Sequence, residues 1–317
     1  MHSIVTLTMN PAVDLASDTP RFEPGRKTRC TRPRRSAGGG GINVARSIGA
    51  LGGEVLAVYP SGGPTGEQLD ELLAEEGIKT HRVPIAGDIR QNLSVAERDS
   101  ERVHHLVFPG PELTEAEWRG CADAVADIDP VPAYVVLSGS LPPGVPEDFY
   151  ADLARRCSAR GSRVVLDTTG KPLRAALDDR APLYLVKPNR KEFQQLFDVD
   201  PKDPGDCLPG MQQLIDDNAI DAVVVTLGEQ GALLVTAERR LHLRPPAIEG
   251  RAPVGAGDSF VGAMVRRLAD GGNLSEAARD GVAAAAAAVS LRDRQLFRPE
   301  DLEALRPRID AAHLGDG

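Results

Sequence analysis

Residues 254 to 259 read Val254-Gly255-Ala256-Gly257-Asp258-Ser259, three small residues and a carboxylate at the head of an amphipathic helical run. Small residues let the backbone turn so that successive N–H groups and the positive end of a helix face one point, an arrangement that suits an anion. Asp258 then stands beside that anion. A carboxylate there would only repel a bound phosphate. The chemistry that suits it is acceptance of a proton from an attacking hydroxyl while charge moves onto a phosphoryl group, which points to a phosphotransferase. Taken alone, the hexapeptide also reads as a glycine-rich turn with Asp258 capping a helix.

A second cluster, Ala37-Gly38-Gly39-Gly40-Gly41-Ile42-Asn43-Val44-Ala45-Arg46, sends consecutive glycines into a helix with apolar Ile42, Ala45 and Ile48, which Gly52 should end. A flexible linker would not run straight into so well patterned a helix with Asn43 in its first turn. Asp14 and Asn43 are the best candidates in the first third for holding sugar hydroxyls. A phosphate already on the substrate calls for cations; Lys27, Arg29 and Arg90 supply them, unless they are ordinary solvated charges. Lys187-Pro188-Asn189-Arg190-Lys191-Glu192 follows a buried-looking strand. Its proline can start a helix, so Asn189 and Glu192 share one face of the first turn, where a hydrated magnesium ion or ATP phosphates would fit. The same spacing is also a helix cap. Thr226-Leu227-Gly228-Glu229-Gln230-Gly231 suits close approach of a nucleotide or, equally, a tight hairpin.

These residues follow strand-like runs: Ile4 to Leu7, Val55 to Tyr59, Tyr134 to Ser138, Arg163 to Asp167, Tyr184 to Lys187 and Ala222 to Thr226. Helical stretches alternate with them, the pattern of a mostly parallel sheet covered on both faces, with ligands beyond the carboxyl ends of the strands. Polar residues at those ends are Asn10, Asp14, Ser138 to Ser140, Asp167, Lys187 to Asn189 and Thr226 to Gly228. Residues 18–36 and 88–108 break the alternation and read as a small β-sheet, which placed over the strand ends would act as a lid excluding water. The tail from Ala311 to Gly317 is expected to fray.

The formal net charge of −9 argues against a general nucleic-acid binder and leaves room for a local cationic pocket. No run approaches the roughly twenty apolar residues of a membrane span, and no signal-peptide pattern opens the chain, so a cytoplasmic location with no membrane partner is expected. Cys30, Cys121, Cys157 and Cys207 lack metal or disulfide spacing.

With these motifs in hand, the chain resembles the ribokinase-like carbohydrate kinases of the phosphofructokinase B type over residues 3–300. The resemblance is carried by Gly38 to Arg46, Val254 to Ser259, Thr6-Leu7-Thr8-Met9-Asn10-Pro11-Ala12-Val13-Asp14 and Ser138-Gly139-Ser140-Leu141-Pro142-Pro143-Gly144. It implies a single kinase domain over 1–317, a three-layer α/β/α mostly parallel sheet with a small β-sheet lid. It also implies ATP- and magnesium-dependent phosphorylation of a phosphorylated hexose. Asp258 would be the base and Gly255, Ala256 and Gly257 the anion hole. Asp14, Gly39, Gly40 and Asn43 would meet the sugar, and Lys27, Arg29, Arg90 and Ser138 its phosphate. Lys187, Asn189, Glu192, Thr226, Gly228 and Gly231 would line the nucleotide side, with magnesium held by Asn189 and Glu192 through water.

Within the family, Gly40 stands where 1-phosphofructokinases and tagatose-6-phosphate kinases carry lysine. Gly40, Arg90-Gln91-Asn92-Leu93 and Phe108-Pro109-Gly110 look like the minor type of 6-phosphofructokinase. Leu291-Arg292-Asp293-Arg294-Gln295 departs from the Gly-Thr-Arg-like turn that holds a monovalent cation in relatives, which puts potassium dependence in doubt. A lid sheet exposes one face, so a homodimer through the lid is expected. The reading from another class is a sugar-phosphate or nucleotide sensor without turnover; retention of Asp258 in an intact glycine turn speaks against it.

Overall fold

The computed structural model describes residues 3–23, 25–100, 102–218, 220–248, 255–290 and 296–314. In chain order it runs β1 (Ile4–Leu7), β2 (Ala12–Thr19), β3 (Arg34–Gly38), α1 (Gly40–Ala50), β4 (Val55–Ser61), α2 (Gly63–Glu75), β5 (Lys79–Pro84), β6 (Arg90–Glu97) and β7 (Val103–Leu106). Next come α3 (Glu115–Ala126), β8 (Tyr134–Ser138), α4 (Phe149–Ala159), β9 (Arg163–Asp167), α5 (Lys171–Asp178), β10 (Leu183–Val186), α6 (Arg190–Phe197) and α7 (Leu208–Asp217). The last elements are β11 (Ile220–Thr226), β12 (Ala232–Thr236), β13 (Arg240–Arg244), α8 (Ala256–Ala269), α9 (Leu274–Ser290), α10 (Pro299–Leu305) and β14 (Asp310–His313).

The large sheet has the order β14-β13-β12-β11-β10-β9-β8-β1-β4-β5. From β11 to β5 every neighbouring pair is parallel, and β12, β13 and β14 join as antiparallel strands. Strand residues alternate between two faces, as the pleat requires. Ile4, Tyr134 and Val136 join one apolar core with α1, α2, α8, α9 and α10. Val5, Leu7, Val135 and Leu137 join the other with α3, α4, α5, α6 and α7. The strand order reverses around β1, which lies between β4 and β8, so the crevice at its carboxyl end is the switch point where such sheets take ligands. This is the mostly parallel sheet covered by helices on both faces that the alternating pattern predicts.

A separate small sheet has the order β3-β2-β6-β7. Its second half falls inside residues 88–108 as expected. Its first half corrects the expectation for residues 18–36: pairing begins at Ala12, and the chain between Thr19 and Arg34 forms no strand among the described residues. The reason is composition, because Pro20, Pro33 and Gly25 interrupt the alternation that the charged residues suggested. The tail also differs: Asp310–His313 pairs with β13 at the edge of the large sheet. Among the described residues, no helix is long and apolar enough to cross a membrane.

Helix α8 is held where it is by packing. Phe260 is 1% exposed, and its ring lies against α9 at Gly281, where a Cβ would come within 3.0 Å of three ring atoms. The small residues of α9, Ala277, Ala278, Ala283 and Ala284, are buried in the same core. Phe260→Ala is therefore expected to cost about 3–5 kcal/mol of unfolding free energy, because it removes the transfer energy of the ring and leaves a cavity. A urea denaturation series checks this.

Candidate active site

Two helix N-termini meet at the crevice. Helix α1 starts after Gly39, whose φ of 116° only glycine adopts without strain, and carries Asn43 in its first turn. Helix α8 starts after Gly255, left-handed at φ 96°, and carries Asp258 as its third residue. The two are joined directly: Asn43 Nδ2 donates to Asp258 Oδ2 at 2.9 Å. Gly255, Gly257 and Asp258 line one cavity with Ser138, Gly139, Ser140, Asp167, Thr168, Thr169, Lys187, Asn189 and Glu192. Seven of the sequence-selected residues thus share one cavity wall, and Asn43 reaches it through Asp258. Val254 and the segment Leu291 to Gln295 lie outside the described residues.

The electrostatics of this cavity centre on one ammonium. Lys187 is 4% exposed and forms an ion pair with Asp167 at 2.9 Å. Burial works against its charge, but Asp167, Glu192 and Asp258 outweigh burial and hold it above the usual lysine range. Asp258 lies on the other side of the balance. Burial, and then the Asp167 charge, push its carboxyl up to about 7, against the Asn43 hydrogen bond and Lys187. A carboxyl that titrates near neutrality is tuned for taking and giving protons.

Asn189 and Glu192 form a capping box on α6. Asn189 Oδ1 accepts from the Glu192 N–H at 3.0 Å, and Glu192 Oε2 accepts from the Asn189 N–H at 2.8 Å. The cap reading of that spacing is therefore realised, while both side chains also line the cavity. Thr226 is bridged to Asn189, and its N–H donates to Pro188 O at 3.1 Å. The Thr226 to Gly231 stretch is the hairpin between β11 and β12, closed by Leu227 N donating to Gly231 O at 2.8 Å. Gly228 and Gly231 lie in that turn and are not among the residues lining the cavity.

On the other flank, Asp14 on β2 accepts from Asn92 Nδ2 at 2.9 Å. Arg90 donates to the carbonyls of Asn10 (2.9 Å) and Phe108 (3.1 Å), tying the small sheet to the end of β1, and its Nε is buried without a partner. Lys27 and Arg29 are exposed on the segment between β2 and β3, a correction to their expected position on lid strands. Gly40 fits tightly: a Cβ there would stand 2.4 Å from Ser138 Oγ and 2.9 Å from Gly139 N. Gly139 is itself fixed, its carbonyl accepting from Thr168 Oγ1 (2.9 Å) and Tyr150 OH (3.1 Å). Among the described residues Ser138 Oγ is buried without a hydrogen-bond partner, an available hydroxyl in the cavity wall.

Sequence reasoning inspected Asp167 as a strand end and gave it no role, and it passed over Thr168 and Thr169. The pairing of Asp167 with Lys187 depends on β9 and β10 being neighbours in register, with Leu166 opposite Val186. That is visible only once the strand order is known.

A doubly wound sheet with paired helix N-termini, a carboxyl raised by burial and a buried lysine is an arrangement suited to phosphoryl transfer onto a hydroxyl group. The chain belongs to the pfkB family carbohydrate kinases, whose family model matches residues 3–300. It is 41% identical over 303 residues to the ATP-dependent 6-phosphofructokinase isozyme 2 of Escherichia coli (strain K12), covering 96% of this chain and 97% of that protein. It is 36% identical over 300 residues to the 1-phosphofructokinase of Xanthomonas campestris pv. campestris, covering 93% of this chain and 94% of that one. The solved structure of phosphofructokinase-2 from Escherichia coli in complex with potassium is similar with a TM-score of 0.92 at 40% identity, over 97% of this chain and 99% of the other. The same relative in complex with fructose-6-phosphate gives 0.90 at 39%, again over 97% and 99%.

The raised carboxyl has a consequence for stability. An aspartate titrates near 3.9 in an unfolded chain and Asp258 near 7 in the folded one, so between those values the folded state holds the extra proton. Its contribution is thus most favourable below about pH 4 and declines as pH rises through 7. Asp258→Asn is expected to gain stability over the wild type from about pH 4 to 7 and to level off above that, measured by urea denaturation at fixed pH. A difference that stays flat would show that Asp258 is not held in a water-poor site.

Proposed function

We propose that this protein is an ATP-dependent 6-phosphofructokinase, transferring the γ-phosphoryl group of ATP to the 1-hydroxyl of fructose 6-phosphate. The observation that carries the reading is the position of Asp258 in the first turn of α8, held by Asn43 and beside the left-handed Gly255. In this mechanism Asp258 takes the proton of the attacking hydroxyl. The backbone N–H groups of Gly255, Ala256 and Gly257 stabilise charge on the phosphoryl group in flight. Asp14, Gly39, Gly40 and Asn43 orient the sugar, and Ser138, Arg90, Lys27 and Arg29 receive its existing phosphate. Lys187 faces the phosphates of ATP, and the turn from Thr226 to Gly231 flanks the nucleotide.

The donor set fits a hydrated magnesium ion. After the capping box, Asn189 Oδ1 and the Glu192 carboxylate keep lone pairs in the cavity, and magnesium needs few protein oxygens. Among the described residues, no group of three His, Cys, Asp or Glu side chains is arranged to bind a metal without water. Asn189 and Glu192 would hold the ion through water, and when bound it neutralises charge on the ATP phosphates.

The small sheet serves as the lid of one kinase unit in this reading. Phe22, Leu106, Val107 and Phe108 are exposed on and beside it, which supports a homodimer formed lid to lid, and a cytoplasmic location suits a kinase of soluble sugar phosphates. The match to a 1-phosphofructokinase keeps fructose 1-phosphate as the competing substrate. The tight fit of Gly40 against Ser138, which leaves no room there for a lysine, favours fructose 6-phosphate.

A coupled ADP-release assay over fructose 6-phosphate, fructose 1-phosphate, tagatose 6-phosphate and unphosphorylated sugars tests the assignment. Turnover is expected to be fastest with fructose 6-phosphate and lost without magnesium. No ADP release with any sugar would support the sensor reading instead. In the same assay Asp258→Asn is expected to lower kcat by about a hundredfold or more, with KM for both substrates changed little, since the carboxylate acts on the proton in flight.

A further inference from the structure

Between Arg21 and Arg35 the chain carries seven lysine and arginine residues and one acid, Glu23, in a protein whose formal net charge is −9. All seven cations are exposed. The backbone that bears them is pinned to β2. Thr31 N donates to Asp18 O at 2.9 Å, Ser17 Oγ to Thr31 O at 2.7 Å, and Thr19 Oγ1 to Arg29 O at 3.2 Å. Arg26 pairs with Glu23 at 3.3 Å and Arg34 with Asp18 at 3.7 Å, both in solvent, where such pairs offset little of the charge. Arg32 and Arg35 have no ion pair or hydrogen bond from their side chains among the described residues.

This segment leads straight into the cleft. Strand β3 begins at Arg34 and runs antiparallel to the strand that carries Asp14, with Ser36 opposite Asp14 and Arg35 opposite Leu15. It ends at Gly38, two residues before the Gly40 that touches the Ser138 wall. At about 3.3 Å per residue, Arg35 stands roughly 10 Å along the strand from Gly38, about one Debye length at 0.1 M salt. An acidic protein repels polyanions, and a single-sign patch on the strand that leads toward a cleft reverses that field locally.

We propose that Arg32 and Arg35 form an electrostatic approach surface that draws phosphate-bearing substrates toward Lys27, Arg29 and the cleft, without themselves taking part in the bound state. The identity of the substrates rests on the functional reading above, whereas the local field does not.

The protein carries its own reporter of that field. Cys30 is exposed in the middle of the segment, and the other three cysteines are buried. The modification rate of Cys30 by the dianionic reagent dithiobis(nitrobenzoate), divided by its rate with neutral dithiodipyridine, isolates the effect of reagent charge, because the same thiolate attacks both disulfides and expels their aromatic thiol. In the full-length protein this ratio is expected to fall by about 3- to 10-fold from low to high salt. The Arg32→Gln/Arg35→Gln variant should lower it about as much at low salt. The same variant should lose about 3- to 10-fold in kcat/KM for fructose 6-phosphate at low salt, with kcat unchanged and the gap closing as salt is added. A ratio insensitive to salt and to the substitutions overturns the proposal. So does a normal ratio change with unaltered kcat/KM, or a fall in kcat, which would make the arginines part of the bound site. If the wild type turns over no sugar phosphate, the functional reading fails, while the reagent ratio still decides whether anions are drawn to this segment.

Discussion

A single hydrogen bond, Asn43 Nδ2 to Asp258 Oδ2 at 2.9 Å, joins the first turns of two helices whose sequences lie 215 residues apart. The carboxylate it holds is stripped of much of its water, and keeping such a group ionisable is costly unless neighbours are fixed around it. Fixity comes from outside the cavity. Helices α1 and α8 share one apolar core on the same face of the sheet, with Ile42, Val44, Phe260 and Val261 essentially inaccessible to solvent. The charge of Lys187 at the strand ends acts on the same carboxylate, and the lysine is anchored by Asp167. Core, ion pair and hydrogen bond together keep a proton acceptor poised between two helix N-termini.

The order of the strands decides which residues meet. Because β1 lies between β8 and β4, the chain leaving β1 toward Asp14 and the chain leaving β8 at Ser138 part company at one crevice, and α1 enters between them. The antiparallel strands β12 to β14 extend the far side and add nothing to this meeting point. The Thr226 turn is set beside Asn189 by the parallel pairing of β10 with β11, which the bridge between those two residues continues.

Much of this was legible in the sequence wherever the determinant was local. The strands Ile4–Leu7, Tyr134–Ser138 and Arg163–Asp167 coincide with their apolar runs, and the glycine cluster opens a helix that ends at Ala50, two residues before Gly52. Ser138, Lys187, Asn189, Glu192 and Asp258 stand at strand ends and turns that the local pattern marks, and all five line the cavity. What escaped was set by non-local pairing. Strand β5, mostly exposed at an edge, has no apolar run to announce it, and β14 exists only because β13 offers it a partner. The first lid segment departs from its expected strand because Pro20, Gly25 and Pro33 interrupt pairing between Thr19 and Arg34. The Asp167–Lys187 pair was invisible for the same reason as β14: it is a property of neighbouring strands rather than of either segment.

The contact between Gly40 and Ser138 bears on how this protein can diverge. The two positions are 98 residues apart, yet each fills the space the other would need, and Gly139 beside them is pinned by Tyr150 and Thr168. A lineage cannot acquire a side chain at position 40 by one exchange without first passing through a disturbed Ser138 loop. Accommodation at residue 138 or in its supports has to come first or together with it. The route to a different sugar is thus a coupled one, and the two sites should be inherited as a pair.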